Sequence, residues 1–383
     1  MNKIIRTSGV LLLTALIATA LTSCELLEND NTPTPTPLAP IHPEVHPQLR
    51  WSLKANSGVG KEYLKLTPAV DETNIYTAST NGTLVALNKE TGREYWRTQT
   101  ALTILTGPAA GNGIVVVGSR EGVIAAYRQS DGRLIWNTNL PGEILANPAI
   151  GDNRVIVKTV DGYVRALSTE SGHEVWSYQQ TEPSLILRGG SAPLIKGNSV
   201  LVGFANGSLA KLGLREGHEQ WQQPIAIPQG AFAIQRMIDI DATPIIYDYR
   251  VYAATYQGNI EALEWSSGRV LWSHPISTYT GMIADSEHVF LSNAESHVWA
   301  FNADSGLVSW RQTGLTARLV TGPADMGGYI VVGDAEGYLH WLDKRDGHVA
   351  ARRYIGPIFA TPFVQNGVLY AFTNNGYLSA FSL

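Results

Sequence analysis

The sequence predicts an all-β protein, because landmark residues recur along it at fixed spacing and no segment after the N-terminal leader keeps a helical periodicity. In the complete units, a proline is followed 14 residues later by a turn glycine and 10 residues after that by a second turn glycine. In six units a tryptophan stands four residues after the second glycine. The second glycines are Gly92, Gly132, Gly172, Gly217, Gly268, Gly306 and Gly347, and the tryptophans are Trp96, Trp136, Trp176, Trp221, Trp272 and Trp310.

Each unit carries the signals of four short antiparallel strands. Runs such as Ile114 to Val117 are β-branched, as buried strands favour, and dipeptides such as Asn81-Gly82 suit the positive φ of a two-residue hairpin turn. Four strands in about 40 residues form one propeller blade. Eight units therefore predict an eight-bladed β-propeller of four-stranded antiparallel blades.

The ends of the repeat array predict how the ring closes. The eighth unit ends at Leu383 after its third strand, while residues 48–53 form an additional strand with its own tryptophan, Trp51. We expect this N-terminal strand to complete the last blade, which protects edges that an open array would expose. The recurring tryptophans are expected to pack between neighbouring blades.

The N-terminus predicts a lipoprotein leader and a spacer. Lys3 and Arg6 precede a short apolar stretch, and residues 21–24 (Leu-Thr-Ser-Cys) resemble a bacterial lipobox. Residues 1–23 are thus predicted to be a signal peptide, and Cys24 the lipidated residue. Glu25 follows, a position where aspartate would favour the inner membrane, so the periplasmic face of the outer membrane is the expected location. Residues 24–47 are proline-rich and predict an extended linker before a propeller over 48–383.

Composition and motifs exclude several classes of function. The net charge of −5 gives no field suited to nucleic acid, which is not expected as a partner. The single cysteine excludes an intramolecular disulfide and a CxxC redox centre. No HExxH, GxSxG or GxxxxGK[ST] motif occurs. We therefore predict no catalytic residues, no metal site and no cofactor.

Two interruptions of the repeat predict a binding surface. The interval from tryptophan to the next proline is 12 residues after Trp96 but 17 after Trp176 and 23 after Trp221. Both long connectors join an outer strand to the next inner strand, so we expect them on one face, side by side. The first contains Leu185, Leu187 and Arg188, and the second contains Arg236, Asp239 and Asp241. Apolar residues rimmed by charge predict a protein-binding patch, whereas the alternative places the leucines beneath the loop as a satellite core.

The repeat resembles the tryptophan-docking repeat of quinoprotein dehydrogenases, as in residues 86–96 (ALNKETGREYW). That resemblance implies an alternative function, a dehydrogenase that binds pyrroloquinoline quinone and calcium at the ring centre. The chain lacks the adjacent cysteines that many such enzymes carry. A third possibility is a propeller that binds carbohydrate or peptide.

A lipobox, a proline-rich spacer, eight tryptophan-docking repeats and the LxLRG and DxD connectors together resemble the BamB family of outer-membrane protein assembly factors, over nearly the whole chain. The resemblance implies a non-enzymatic lipoprotein subunit that binds the periplasmic POTRA domains of the barrel subunit BamA. By motif, the implied contact residues are Leu185, Leu187, Arg188, Asp239 and Asp241. Unfolded outer-membrane proteins are a further possible partner, by strand addition. The chain departs from the repeat at Ser296, which replaces a hairpin glycine, and at Ala351, which replaces a tryptophan.

Overall fold

A computed structural model describes residues 33–60 and 62–383 of the chain. The predicted signal peptide (residues 1–23) and Cys24 lie outside the described residues. Residues 36–383 form one compact unit, while residues 33–35 belong to a separate one and contain neither helix nor strand. In the described part of the chain, no helix combines the length and hydrophobicity needed to cross a bilayer.

The compact unit is an eight-bladed β-propeller, as the sequence predicts, and every blade is a four-stranded antiparallel sheet. Blades one to four are built from β2 (Ala69–Val70), β3 (Asn74–Ala78), β4 (Thr83–Asn88), β5 (Glu94–Gln99); β6 (Ala109–Gly111), β7 (Ile114–Gly118), β8 (Val123–Arg128), β9 (Leu134–Asn139); β10 (Ala149–Gly151), β11 (Arg154–Lys158), β12 (Tyr163–Ser168), β13 (Glu174–Gln179); and β14 (Leu194–Lys196), β15 (Ser199–Gly203), β16 (Ser208–Gly213), β17 (Glu219–Pro224).

Blades five to eight are built from β18 (Ile245–Tyr247), β19 (Arg250–Ala254), β20 (Gly258–Glu264), β21 (Val270–Ile276); β22 (Met282–Ala284), β23 (His288–Ser292), β24 (Val298–Asn302), β25 (Val308–Gln312); β26 (Ala324–Met326), β27 (Tyr329–Gly333), β28 (Tyr338–Asp343), β29 (Val349–Tyr354); and β30 (Phe363–Gln365), β31 (Val368–Phe372), β32 (Tyr377–Ser382) with β1 (Gln48–Lys54). The described helical structure is one 3-10 turn, Ala233–Arg236.

Ring closure follows the predicted scheme. Strand β1 pairs antiparallel with β32, with Gln48 opposite Ser382 and Lys54 opposite Tyr377. Blade eight thus takes its outer strand from the N-terminal part of the chain, and this pairing joins the two ends of the repeat array.

The recurring tryptophans pack on the second turn glycine of the next blade. Trp96 donates a hydrogen bond from Nε1 to the carbonyl of Gln129 at 2.8 Å, and a Cβ on Gly132 would lie only 2.5 Å from the Trp96 ring. Trp51 of β1 makes the same contact with Gly92. Glycine is therefore required at this position for two reasons: its φ is positive, and the indole leaves no room for a side chain. This confirms that the tryptophans pack between blades.

The missing tryptophan of blade seven has a structural explanation. Blade eight has no hairpin between its third and outer strands, because those strands are the two ends of the array, so no turn glycine is available for docking. Instead the aromatic ring has moved one strand inward. Trp341 is fully buried and lies opposite Ala351, whereas six of the other seven blades place an inner-strand alanine opposite the outer-strand tryptophan, as with Ala86 and Trp96. At the other departure, Ser296 adopts the left-handed conformation itself, with φ of 70°.

Residues 36–47 were expected to belong to an extended linker, but in the structure they are packed against the propeller. This segment packs on blade seven as part of the propeller unit, with Leu38 and Val45 covering two of the inter-blade core clusters. The propeller unit therefore begins at Thr36 rather than at residue 48. Proline and threonine alternation suits an extended chain, but an extended chain also fits along the edge of a blade.

Candidate partner-binding site

The two long connectors lie side by side, as predicted. Connector one (residues 180–193) joins β13 to β14, and connector two (residues 225–244) joins β17 to β18, so both lie on the ring face that carries all outer-to-inner connections. We call this the connector face. The backbone N–H of Leu187 donates to Oδ1 of Asp239 at 2.8 Å, and that of Ala192 donates to Oγ1 of Thr243 at 3.1 Å. The connectors are thus held together at two points.

The aliphatic residues of connector one are divided between surface and interior. Leu185 is 43% exposed and Arg188 is exposed, whereas Ile186 and Leu187 are half-buried. The satellite-core alternative therefore holds in part for the half-buried residues and not for Leu185. Arg188 lies 3.6 Å from Glu143 through a half-exposed ion pair, which leaves its guanidinium available for a partner.

The tip of connector two adds apolar surface that the sequence analysis did not single out. Ile227, Phe232 and Ile234 are 73%, 69% and 64% exposed. Phe232 immediately precedes the 3-10 turn that ends at the exposed Arg236, and Ile234 lies within that turn. A groove of about 340 Å³ separates this tip from Leu185. The run IAIPQGAFAI was the available signal, because these apolar residues stand in a segment with no strand periodicity.

Asp239 and Asp241 are buried, whereas residues that contact a partner are expected to be exposed. They are 4% and 9% exposed and lie beneath connector one. Asp241 accepts a hydrogen bond from Nζ of Lys65 at 3.0 Å, and a Cβ on Gly189 would lie 2.3 Å from its carboxylate. Both carboxylates therefore support the shape of connector one from below. Whether they also contact a partner stays a prediction.

A buried lysine lies beneath the same connector. Lys158 donates from Nζ to the carbonyl of Gly203, and burial lowers its pKa while Glu182, Asp241 and Asp239 oppose that shift. Glu182 in turn accepts hydrogen bonds from the backbone N–H groups of Ala205 and Asn206. Burial raises the pKa of Glu182 as well. Beneath connector one, Lys158 of blade three thus lies among three acids, Glu182 of connector one itself and Asp239 and Asp241 of connector two.

Burial raises the pKa of Asp239 to about 6 from its usual 3.8, with the hydrogen bond from Leu187 opposing the shift, and its Oδ2 has no hydrogen-bond partner in the described structure. An acid with a raised folded-state pKa stabilises the fold below its unfolded pKa and loses that contribution as pH rises through the folded value. We expect the free energy of unfolding of the native chain, relative to Asp239→Asn, to fall by up to about 3 kcal/mol as pH rises from 3.8 through about 6.

Urea unfolding at several pH values measures this difference. The asparagine keeps an oxygen for the Leu187 N–H, so the hydrogen bond between the connectors is retained. Glu170→Gln, at an exposed acid in the turn between β12 and β13, is the matched control. Parallel stability curves for the native chain and Asp239→Asn would contradict the burial of a charge at this position.

The centre of the connector face is a depression at the mouth of the ring channel. The depression measures about 620 Å³ and is lined by Tyr63, Tyr256, Tyr279, Leu187 and Arg188, among others. The channel below measures about 530 Å³. Among residues 33–60 and 62–383, no group of three or more His, Cys, Asp or Glu side chains is arranged to hold a metal ion.

Fold and site together define a tryptophan-docked eight-bladed propeller whose candidate site is a surface of long connectors. The sequence profile of the family described as outer membrane protein assembly factor BamB matches residues 47–106 and 100–312. The outer membrane protein assembly factor BamB of Legionella pneumophila (strain Paris) is 42% identical over 364 residues, which cover 94% of each chain. The chain belongs to the BamB family.

Solved structures agree on the fold. BamB from Moraxella catarrhalis superposes with a TM-score of 0.82 at 26% identity, covering 88% of this chain and all of that one. The quinohemoprotein alcohol dehydrogenase of Comamonas testosteroni reaches a TM-score of 0.72 at 14% identity, covering 88% of this chain and 76% of that one. At that identity the likeness to the dehydrogenase concerns the fold alone.

Proposed function

We propose that this chain is a non-enzymatic lipoprotein subunit of the outer-membrane β-barrel assembly machinery, and that its two long connectors bind the POTRA domains of BamA. The relatives' names, outer membrane protein assembly factor, support the assembly role. The single observation that carries the binding site is the adjacency of two long connectors that expose apolar side chains next to arginines.

In the proposed interface, some side chains contact the partner and others hold the connector in shape from below. Leu185 and the half-buried Leu187 supply apolar contact, while Arg188 and Arg236 supply directional charge at the rim. Asp239 and Asp241 hold connector one in position from beneath. This division follows the usual anatomy of protein interfaces, in which apolar anchors are surrounded by polar groups.

The same proposal places the protein at the periplasmic face of the outer membrane, anchored by lipid on Cys24. Unfolded outer-membrane proteins remain a proposed second partner through strand addition to the outer blade edges, where Leu134 and Leu307 are 52% and 70% exposed.

Co-purification with BamA from detergent-solubilised membranes tests the proposed interface. Replacing Leu185, Leu187 and Arg188 together by alanine is expected to weaken binding at least about 100-fold, because hot-spot side chains contribute about 2 kcal/mol or more each. The variant should stay folded, since the ring core does not involve these side chains.

The chain offers a matched control. The outer strand β9, away from the connectors, begins with the exposed Leu134 and Ile135, and the exposed Arg133 immediately precedes it, so the three side chains offer the same chemistry. Their triple alanine variant should co-purify with BamA normally. Full binding by the connector variant would refute the assigned surface.

A further inference from the structure

Residues 36–47 form a strap across blade seven. The backbone N–H of Thr36 donates to the carbonyl of Thr316 at 3.0 Å, and that of Glu44 donates to the carbonyl of Ala350 at 2.8 Å. Leu38 packs against the core between blades six and seven, and Val45 against the core between blades seven and eight. The strap is thus attached at both ends and along its length.

Two arginines hold the strap carbonyls from a buried cluster. Arg318 donates from Nη1 to the carbonyl of Thr36 at 3.0 Å and from Nε to Oδ2 of Asp334 at 2.7 Å. Arg352 donates to the carbonyl of Ala39 at 3.2 Å and from Nε to Nδ1 of His340 at 3.3 Å. His340 completes the cluster through Nε2, 2.9 Å from the same Asp334 oxygen.

This network fixes the tautomer of His340. Because Nδ1 accepts from Arg352, the ring proton is on Nε2 and is donated to Asp334. Asp334 and His340 are fully buried, and the Arg318 side chain is 6% exposed. A continuous chain of hydrogen bonds therefore connects two strap carbonyls, those of Thr36 and Ala39. It runs through the four side chains named above, two arginines, one aspartate and one histidine.

The strap has a defined direction. Its first residue, Thr36, contacts Thr316 and Arg318, which lie in the connection between β25 and β26 on the connector face. Glu44 contacts the start of β29, beside the hairpin on the opposite face. The chain therefore crosses blade seven from the connector face to the opposite face, and Thr36, the first residue of the propeller unit, lies on the connector face.

We propose that the strap makes the connector face the side of the ring that is turned toward the lipid surface. The proposal rests on the proposed anchor at Cys24 and deepens the proposed function, since the partner of the connectors then lies on the membrane side of the ring. Twelve residues, 24–35, span at most about 40 Å even when fully extended. A tether of that reach, attached on one face, biases the ring toward presenting that face.

The test attaches the chain to vesicles through its own cysteine. A chain that starts at Cys24, the single cysteine of the sequence, is coupled through this thiol to maleimide-headgroup lipids in phosphatidylethanolamine and phosphatidylglycerol vesicles that contain acceptor-labelled lipid. A fluorescent noncanonical amino acid replaces either Ser184 on the connector face or Glu170 on the opposite face. Both positions are exposed and belong to blade three or the connector that follows it.

Energy transfer from position 184 is expected to be at least about twofold more efficient than from position 170, because strands of six residues separate the faces by about 20 Å. Releasing the strap by Leu38→Asp with Val45→Asp should abolish that difference, while β1 still closes the ring. Equal transfer in the native chain, or a difference that survives strap release, would overturn the proposal. Since the coupling is chemical and BamA is absent, neither result depends on native acylation or on the proposed partner.

Discussion

Replacing Trp341 by alanine is expected to lower the free energy of unfolding by about 3–5 kcal/mol, the usual cost of removing a buried aromatic side chain. Trp341 is fully buried between blades seven and eight, its ring lies edge-on to Phe381 at 6.0 Å, and its Nε1 points to the sulfur of Met326 at 3.4 Å. Within residues 33–60 and 62–383, no other indole docks at this interface, because Ala351 occupies the usual tryptophan position. The loss should therefore leave a cavity that the strands cannot fill.

Chemical denaturation followed by circular dichroism measures the effect. Trp299→Ala is the control, because Trp299 lies on the neighbouring blade but is only half-buried and stacks on Phe301. We expect it to lose markedly less stability. A loss below about 1 kcal/mol for Trp341→Ala would mean that this ring does not replace the missing docking tryptophan.

The second large effect is expected from Asp334→Ala, at about 3–5 kcal/mol, because the change leaves Arg318 buried without its counter-charge. Arg318 and Asp334 are 2.7 Å apart with side chains 6% and 0% exposed. Burial alone would raise the pKa of Asp334, but the hydrogen bonds that it accepts from His340, the Tyr338 backbone and Arg318 outweigh that effect, and the pKa is lowered. A lowered folded-state pKa gives stability that is present at neutral pH and is lost as pH falls below the unfolded value of 3.8.

Asp325→Ala separates this effect from a general loss of charge. Asp325 is half-exposed and pairs with Lys344, which keeps Asp285 as a second partner at 3.1 Å, so the expected cost is below about 1 kcal/mol. Limited proteolysis should cut Asp334→Ala within residues 36–47 and leave Asp325→Ala intact, because only the first change disturbs Arg318. Equal stabilities of the two variants would contradict a buried cluster that supports the strap.

The blade architecture could be predicted because its determinants are local and repeat. A turn that needs positive φ and an indole that needs a glycine beneath it impose fixed spacings, and Gly132 with Trp96 shows both requirements at one contact. Ring closure by β1 followed from counting strands. The replacement at Ala351 was visible in the sequence, but its cause was not, since it depends on which strand pair contains the chain ends.

The strap and the buried acids could not be predicted, because their determinants are distant in sequence and do not repeat. Residues 36–47 carry the composition of a spacer, and their docking depends on Arg318 and Arg352, which lie about 300 positions away in sequence. Asp239 and Asp241 stand in a connector, where acids are usually exposed. Their burial depends on Lys65, Lys158 and the backbone of Leu187, which only the closed ring brings together.

Photo-crosslinking in living cells is the most direct test of whether the two connectors form the surface that binds BamA. A benzophenone amino acid is placed at Leu185 or Ile234 on the connectors, or at one of two side chains of comparable exposure at the outer edge of the ring, Leu134 in β9 or Leu307 just before β25. We expect covalent adducts with BamA from positions 185 and 234 and none from positions 134 and 307. Adducts from the outer edge alone, or from none of the four positions, would contradict the proposed interface.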